Sequence, residues 1–224
     1  MRRRRLPLLS SADGRETDDP EARKQLDTLE KRSYKTYRAR QSACNRLGKR
    51  ARAWNCALVA LATSTTVASI GLLTDADLYG ENGEALMVCV AVLSLVASLA
   101  TTNMDYSGRS RDFFLNYRKI QRISVEMEEF GRQRDNPVTA EAVKALSISY
   151  QAILDETENH TPGDHLRHFS KAHSPADPYY TTDKSLIRRR RGAVAADFGI
   201  TSFPYLTLAL PLGLLVPLVN RLIP

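Results

Sequence analysis

Two stretches decide the reading of this chain: residues 54–73, WNCALVALATSTTVASIGLL, and residues 85–102, ALMVCVAVLSLVASLATT. Neither contains Lys, Arg, Asp, Glu or His. About 20 helical residues cross the roughly 30 Å hydrocarbon core of a bilayer, and the second stretch reaches that length by running on to Met104. A loop too short for another element joins them, so they read as a transmembrane hairpin, with spans over 54–73 and 85–104. A buried helix pair in a soluble protein is the alternative; such helices keep a polar face, and here there are only scattered Ser and Thr.

Working outward, the flanks give an orientation. Arg40, Arg46, Lys49, Arg50 and Arg52 precede the first span, and Arg109, Arg111, Arg118 and Lys119 follow the second. The loop Thr74–Glu84 holds Asp75, Asp77, Glu81 and Glu84 with no Lys or Arg. The positive-inside rule places both long flanks, and the N-terminus, in the cytoplasm. Trp54 and Tyr79 suit interfacial positions. The mean hydropathy of −0.33 averages apolar spans with strongly charged arms. The net charge of +7 fits topology and anionic head groups better than nucleic acid, for which no motif is present. Cys44, Cys56 and Cys89 form no CxxC and read as packing residues. The start, MRRRRLPLLSSADG, has too short an apolar run for a signal peptide, so residues 1–19 read as a disordered basic arm.

Asp18 or Asp19 can cap a cytoplasmic helix over 20–53 that begins at Pro20 and runs into the first span. Within the spans, small residues line one side of each helix: Ala60, Ser64 and Ala68, extended by Ala57 and Gly71, and then Ala91, Ser94, Ser98 and Thr101. Such faces permit close helix packing, and their hydroxyls could also line a pore. Beyond Met104 the helix is expected to continue unbroken to Arg132. Tyr106, Phe113, Ile120 and Met127 recur every seven residues beside Tyr117, a coiled-coil-like seam. Asn136-Pro137 ends it. Thr139 can cap a helix reaching Glu156, with Val143, Leu146, Tyr150, Ile153 and Leu154 folded back on the stripe. The fold class is an all-α integral membrane protein: a hairpin continuous with a cytoplasmic helical stalk of helices 105–132 and 139–156, plus a third hydrophobic segment.

The segment YQAILDETENH, residues 150–160, followed by Asp164 and His165, resembles the end of a SLATT domain. This two-transmembrane effector family is found beside SLOG and nucleotide-synthesising domains in bacterial conflict systems. A basic helix, a two-span hairpin, a helix with Tyr and Arg, and the closing Glu158-Asn159-His160 occur here in the family's order, over about residues 21–169. The resemblance implies a pore-forming or membrane-disrupting effector that arrests or kills an infected cell.

Residues 161–191 read as a linker. The four histidines His160, His165, His168 and His173 cluster there without zinc-ligand spacing, so no metal is expected. Residues 198–220, FGITSFPYLTLALPLGLLVPLVN, are long enough to span, although Pro204, Pro211 and Pro217 invite kinks; a re-entrant segment is the alternative. No P-loop, G-x-S-x-G or H-E-x-x-H occurs, so neither catalysis nor a cofactor is expected. The spans lack the ionisable residues that coupled transporters use. Two readings stand: a homo-oligomeric pore or membrane-perturbing effector of the inner membrane, switched on by an upstream sensor or signal-producing protein, and a non-permeating anchor that recruits a partner through its stalk. Membrane lipid is a partner in both. The activating signal and the oligomer number stay open.

Overall fold

The computed structural model describes residues 19–133, 137–166 and 183–222; the expected basic arm lies almost wholly outside them. Among the described residues the chain is helical throughout: α1 (Pro20–Thr74), α2 (Gly83–Met104), α3 (Tyr106–Arg132), α4 (Ala140–Asp155), α5 (Pro162–Leu166), α6 (Lys184–Leu206) and α7 (Ala209–Leu222). Three helical stretches, Pro20–Thr74, Gly83–Arg132 and Lys184–Arg221, are long and apolar enough to cross a membrane.

α1 starts where local chemistry predicts: Asp19 accepts a hydrogen bond from the Glu21 N–H at 3.0 Å, and Pro20 occupies the first turn. It then runs 55 residues without a break, about 80 Å at helical rise. α2 and α3 do not form the continuous helix that the sequence suggests. Asp105 adopts a left-handed conformation (φ 38°) and its Oδ1 caps α3 by accepting from the Gly108 N–H at 3.0 Å. A short polar side chain that can bond its own backbone tolerates this conformation and competes with the helix. Gly108 leaves room for this cap, because a Cβ would fall 2.2 Å from Asp105 Oδ2 and displace the side chain.

α3 returns antiparallel along the N-terminal half of α1: Arg23 Nη1 donates to Gly131 O at 3.1 Å, and Ser110 Oγ donates to Cys44 O at 3.0 Å. The heptad stripe of α3 is thereby buried inside one chain. Ile120 and Met127 join Ala22, Leu26, Val138, Val143 and Tyr150, while Phe113 meets Ala43 and Leu47. This corrects the seam reading: α1 covers most of the stripe, α4 covers only its distal part, and Tyr106 and Tyr117 remain half-buried.

In the apolar layer, Leu61 and Ala68 of α1, Met87 and Val90 of α2, and Leu214 of α7 form a separate core. α6 and α7 run parallel to α1, as successive contacts show: Asp197 with Arg50, Phe203 with Trp54, Leu218 with Gly71, and Arg221 with Asp75. The third hydrophobic segment is broken at Thr207 and Leu208. Pro211, four residues beyond Thr207, has no N–H to offer its carbonyl, and its ring crowds that group. Tyr79 of the α1–α2 loop donates its hydroxyl to Leu214 O of the same segment.

Candidate functional site

Buried polar groups converge at the neck, where α1 passes from the polar helical bundle towards the apolar layer. Arg40 is fully buried; its guanidinium donates to Asn116 Oδ1 of α3 and, at 3.0 Å, to Leu154 O near the C-terminus of α4. Asn116 in turn donates to Ile153 O at 2.6 Å. A cation at a helix C-terminus is favourable, and these bonds tie three helices together. The partners of Arg40 are neutral acceptors, and its Nε has none among the described residues.

One to two turns further along α1, Arg46 donates from Nε and Nη2 to the two carboxylate oxygens of Asp164, both at 2.8 Å. Asp164 has no exposed surface. Its Oδ2 also accepts from Thr161 N and Oγ1 at 3.1 and 2.7 Å, the reciprocal bonding of a capping box. Burial alone would raise the pKa of Asp164, but the bonds from Arg46 and Thr161 outweigh it and hold the carboxyl below its ordinary range. Asp197 of α6 lies 4.0 Å from Arg46 Nε and accepts from Arg50 Nη2 at 2.8 Å. Two arginines of α1 thus clamp α5 and the start of the third hydrophobic segment. The stretch read as a plain linker therefore carries a buried anchor at Asp164.

The motif residues surround this latch. Glu158 accepts from Arg109 Nε and Nη2 at 2.7 and 3.1 Å on the surface, and Asn159 is exposed. His160 is half-buried, with no partner for Nδ1 among the described residues and its ring centre 6.3 Å from that of His165. Burial, followed by the charge of Arg40, pushes the His160 pKa down; burial and Lys35 do the same to His165. His168 and His173 lie outside the described residues.

The apolar helices divide differently from the sequence pattern. Ser64, Ala68, Ala57 and Gly71 are buried and Ala60 is half-buried. On α2, Ser94 and Thr101 are half-buried, whereas Ala91 and Ser98 are exposed. The inner face of α2 is instead Gly83, Met87, Val90, Ser94, Ala97 and Thr101, because Met87 and Val90 reach Leu61 and Ala68. The span hydroxyls bond within their own helices: Thr65 to Leu61 O, Thr66 to Ala62 O, Ser69 to Thr65 O and Thr102 to Ser98 O, at 2.7–2.9 Å. Being satisfied locally, they do not by themselves require another helix or a lumen.

Sequence reasoning missed Arg40, Asn116, Arg46, Asp164 and Asp197 as a connected set. Asn116 was the available signal, a polar residue lying between Phe113 and Ile120 in an apolar stripe. The arginines looked like topological charges.

No curated protein and no solved structure matches the chain. A family model does, that of the SMODS and SLOG-associating 2TM effector domain family 5, over residues 22–220. The match extends past the expected limit near residue 169 and takes in the third hydrophobic segment, in agreement with the packing of α6 and α7 on α1. Sequence pattern, helical architecture and family match converge: the chain belongs to family 5 of the SMODS and SLOG-associating two-transmembrane effector domains.

Proposed function

We propose that this protein is a membrane effector of a bacterial antiviral defence system, which oligomerises when triggered and opens or perturbs the inner membrane. Family membership supplies the effector role. The observation that favours action within the bilayer is the surface of α2. Val88, Val92, Leu93, Leu95, Val96 and Leu99 are all exposed in the single chain, with no charge among them. Beside them, an open groove of about 490 Å³ between α1 and α2 is lined by Thr65, Thr66, Ser69 and Ile70 on one side and Ala91 and Ser94 on the other. Two or three apolar helices are too few to enclose an aqueous path, so a pore needs several copies. Small side chains along the groove suit close approach of another helix. A lumen of Ser, Thr and small apolar residues would conduct with little selectivity and so depolarise the cell. The N-terminus is inside, the signal comes from an upstream partner, and the cytoplasmic bundle relays it.

The test is membrane integrity. Induction together with the activating partner collapses the signal of a voltage-sensitive dye and releases dye from liposomes. Ala91→Leu with Ser98→Leu, both at exposed positions, suppresses the leak while the chain still inserts. Sealed membranes with the activated wild-type protein would replace this reading by that of an anchor that recruits a partner through its stalk.

A further inference from the structure

A groove of about 570 Å³ runs between α1 and α4 near the start of α1, far from the apolar layer. Its floor is apolar, made by Leu29 and the buried Val143, and Ile148 stands on its wall 60 % exposed. Its rim carries Lys24, Arg32 and Lys144 against one carboxylate, Glu21. All four are exposed and form no ion pair among the described residues. Membrane lipid is out of reach as a counter-charge. Arg32 lies 22 residues before Trp54 along one unbroken helix, about 33 Å from the membrane boundary at helical rise.

A complementary surface lies on α3. Val125, Glu126 and Glu129 share one side of that helix and are all exposed. Neither glutamate has an ion-pair partner among the described residues, whereas Glu128 beside them is taken by Arg132. This side faces away from α1, because Ile120, Ile123 and Met127 hold the opposite side in the core. Groove and acidic stripe therefore lie on different faces of the bundle. They also stand at one height. Arg23 bonds Gly131 O and Ser110 bonds Cys44 O, so residues 24–32 of α1 run beside about the last three turns of α3. Thr36 bonds Tyr150 and Arg40 bonds Leu154 O, so α4 runs parallel to α1 and brings Lys144 to the same level. Copies anchored in one membrane share an orientation, so the groove of one meets the stripe of another level.

We propose that the α1–α4 groove receives the Val125–Glu129 side of α3 from a second copy of this chain, in a head-to-tail contact. Val125 enters between Leu29 and Ile148, and Glu126 and Glu129 reach the cations of the rim. Arg122 is the nearest like charge on that side of α3, and Gln151 at the inner end of the groove offers it an acceptor. Because the two faces differ, each copy gives one and takes one, which builds a ring where the rotation closes. Exposed ion pairs are individually weak, but copies confined to a bilayer meet at high effective concentration. The proposal rests on the multi-copy part of the pore reading and names the faces that the copies share. Both faces are open in the conformation described, so the contact forms without the activating signal.

Cysteine cross-linking of the full-length chain in membrane vesicles tests the contact. One population carries only Val125→Cys and the other only Ser147→Cys, a groove residue, both in a cysteine-free background. Co-expressed and treated with a short bismaleimide, they give mixed dimers, while neither population alone does. Glu126→Lys with Glu129→Lys on the Val125→Cys copies lowers the yield about tenfold. Arg32→Glu with Lys144→Glu on the Ser147→Cys copies then restores it, which a folding defect would not allow. Absence of mixed dimers, dimers from either population alone, or a yield unmoved by charge reversal overturns the proposal. If Arg32→Glu with Lys144→Glu abolishes triggering and no mixed dimer forms, the groove belongs to an acidic partner protein instead. Glutaraldehyde captures oligomers joined by any face, so with dye leakage it shows whether the pore reading stands where this contact fails.

Discussion

Asp164 shows how one residue can set the state of the neck. Its carboxylate is fully buried and bonded to Arg46 and Thr161. Removing it leaves the Arg46 guanidinium buried, 4.0 Å from the remaining acid, Asp197. Breaking a buried pair from one side costs about 3–5 kcal/mol, so Asp164→Ala markedly lowers the melting temperature in detergent. Glu158→Gln, which breaks a half-exposed pair, costs about 1 kcal/mol or less; equal effects would deny Asp164 its anchoring role. His160 adds a pH dependence. Its folded pKa lies below the ordinary 6.5 because of burial and then Arg40 and His165, with Asp164 opposing. The unfolded chain therefore binds more protons just below pH 6.5, so the contribution present above that value is lost as pH falls towards the folded pKa. His165 acts in the same direction, under burial and Lys35. Melting temperature therefore falls between pH 7.5 and 5.5, and His160→Gln shrinks that fall. The lowered pKa of Asp164 acts in a separate window, below about pH 4.

At the scale of elements, the α1–α3 pairing is the core of the polar helical bundle. Ile120 is fully buried against α1 and α4. Ile120→Asp therefore places an unpaired charge in that core and opens the helices of the bundle to limited proteolysis, while the apolar hairpin still inserts. Arg122→Gln, on the exposed side, leaves the digestion pattern unchanged. The junction of α2 and α3 is tested by a double-mutant cycle. Gly108→Ala drives the Asp105 side chain out of its capping position and costs on the order of 1 kcal/mol. In an Asp105→Gly background the same change costs little, because the clash and the cap are both gone. Additive effects would mean that Asp105 does not shape the junction.

For the whole molecule, the parallel course of α1 and α6–α7 makes a prediction about topology. Asp75 and Arg221 are paired at 3.0 Å, so the end of α7 shares a side of the membrane with the acidic loop. Cysteines introduced at Tyr79 and Arg221 in a cysteine-free background are labelled from outside intact cells, and one at Tyr106 is not. Labelling at Tyr106 with silence at Tyr79 would invert the assignment.

The sequence by itself determined the helical class, the paired apolar segments, their acidic loop and the start of α1. Each follows from short-range properties: apolar length, charge bias and the capping chemistry of Asp19 and Pro20. The heptad stripe of α3 was legible as a buried face, although its occupant was not, because a stripe states only that something apolar must cover it. Only the tertiary structure showed that α1 of the same chain does so. It also showed that Met87 and Val90, rather than Ala91 and Ser98, turn inward. The neck network lay beyond any local signal. Arg46 and Asp164 are separated by 118 positions, and among so many charged side chains nothing local distinguishes a solvated arginine from a buried one. That difference is made by packing, when α3, α4, α5 and α6 close over one stretch of α1 and set Arg40, Arg46 and Arg50 against Asn116, two carboxylates and a helix end.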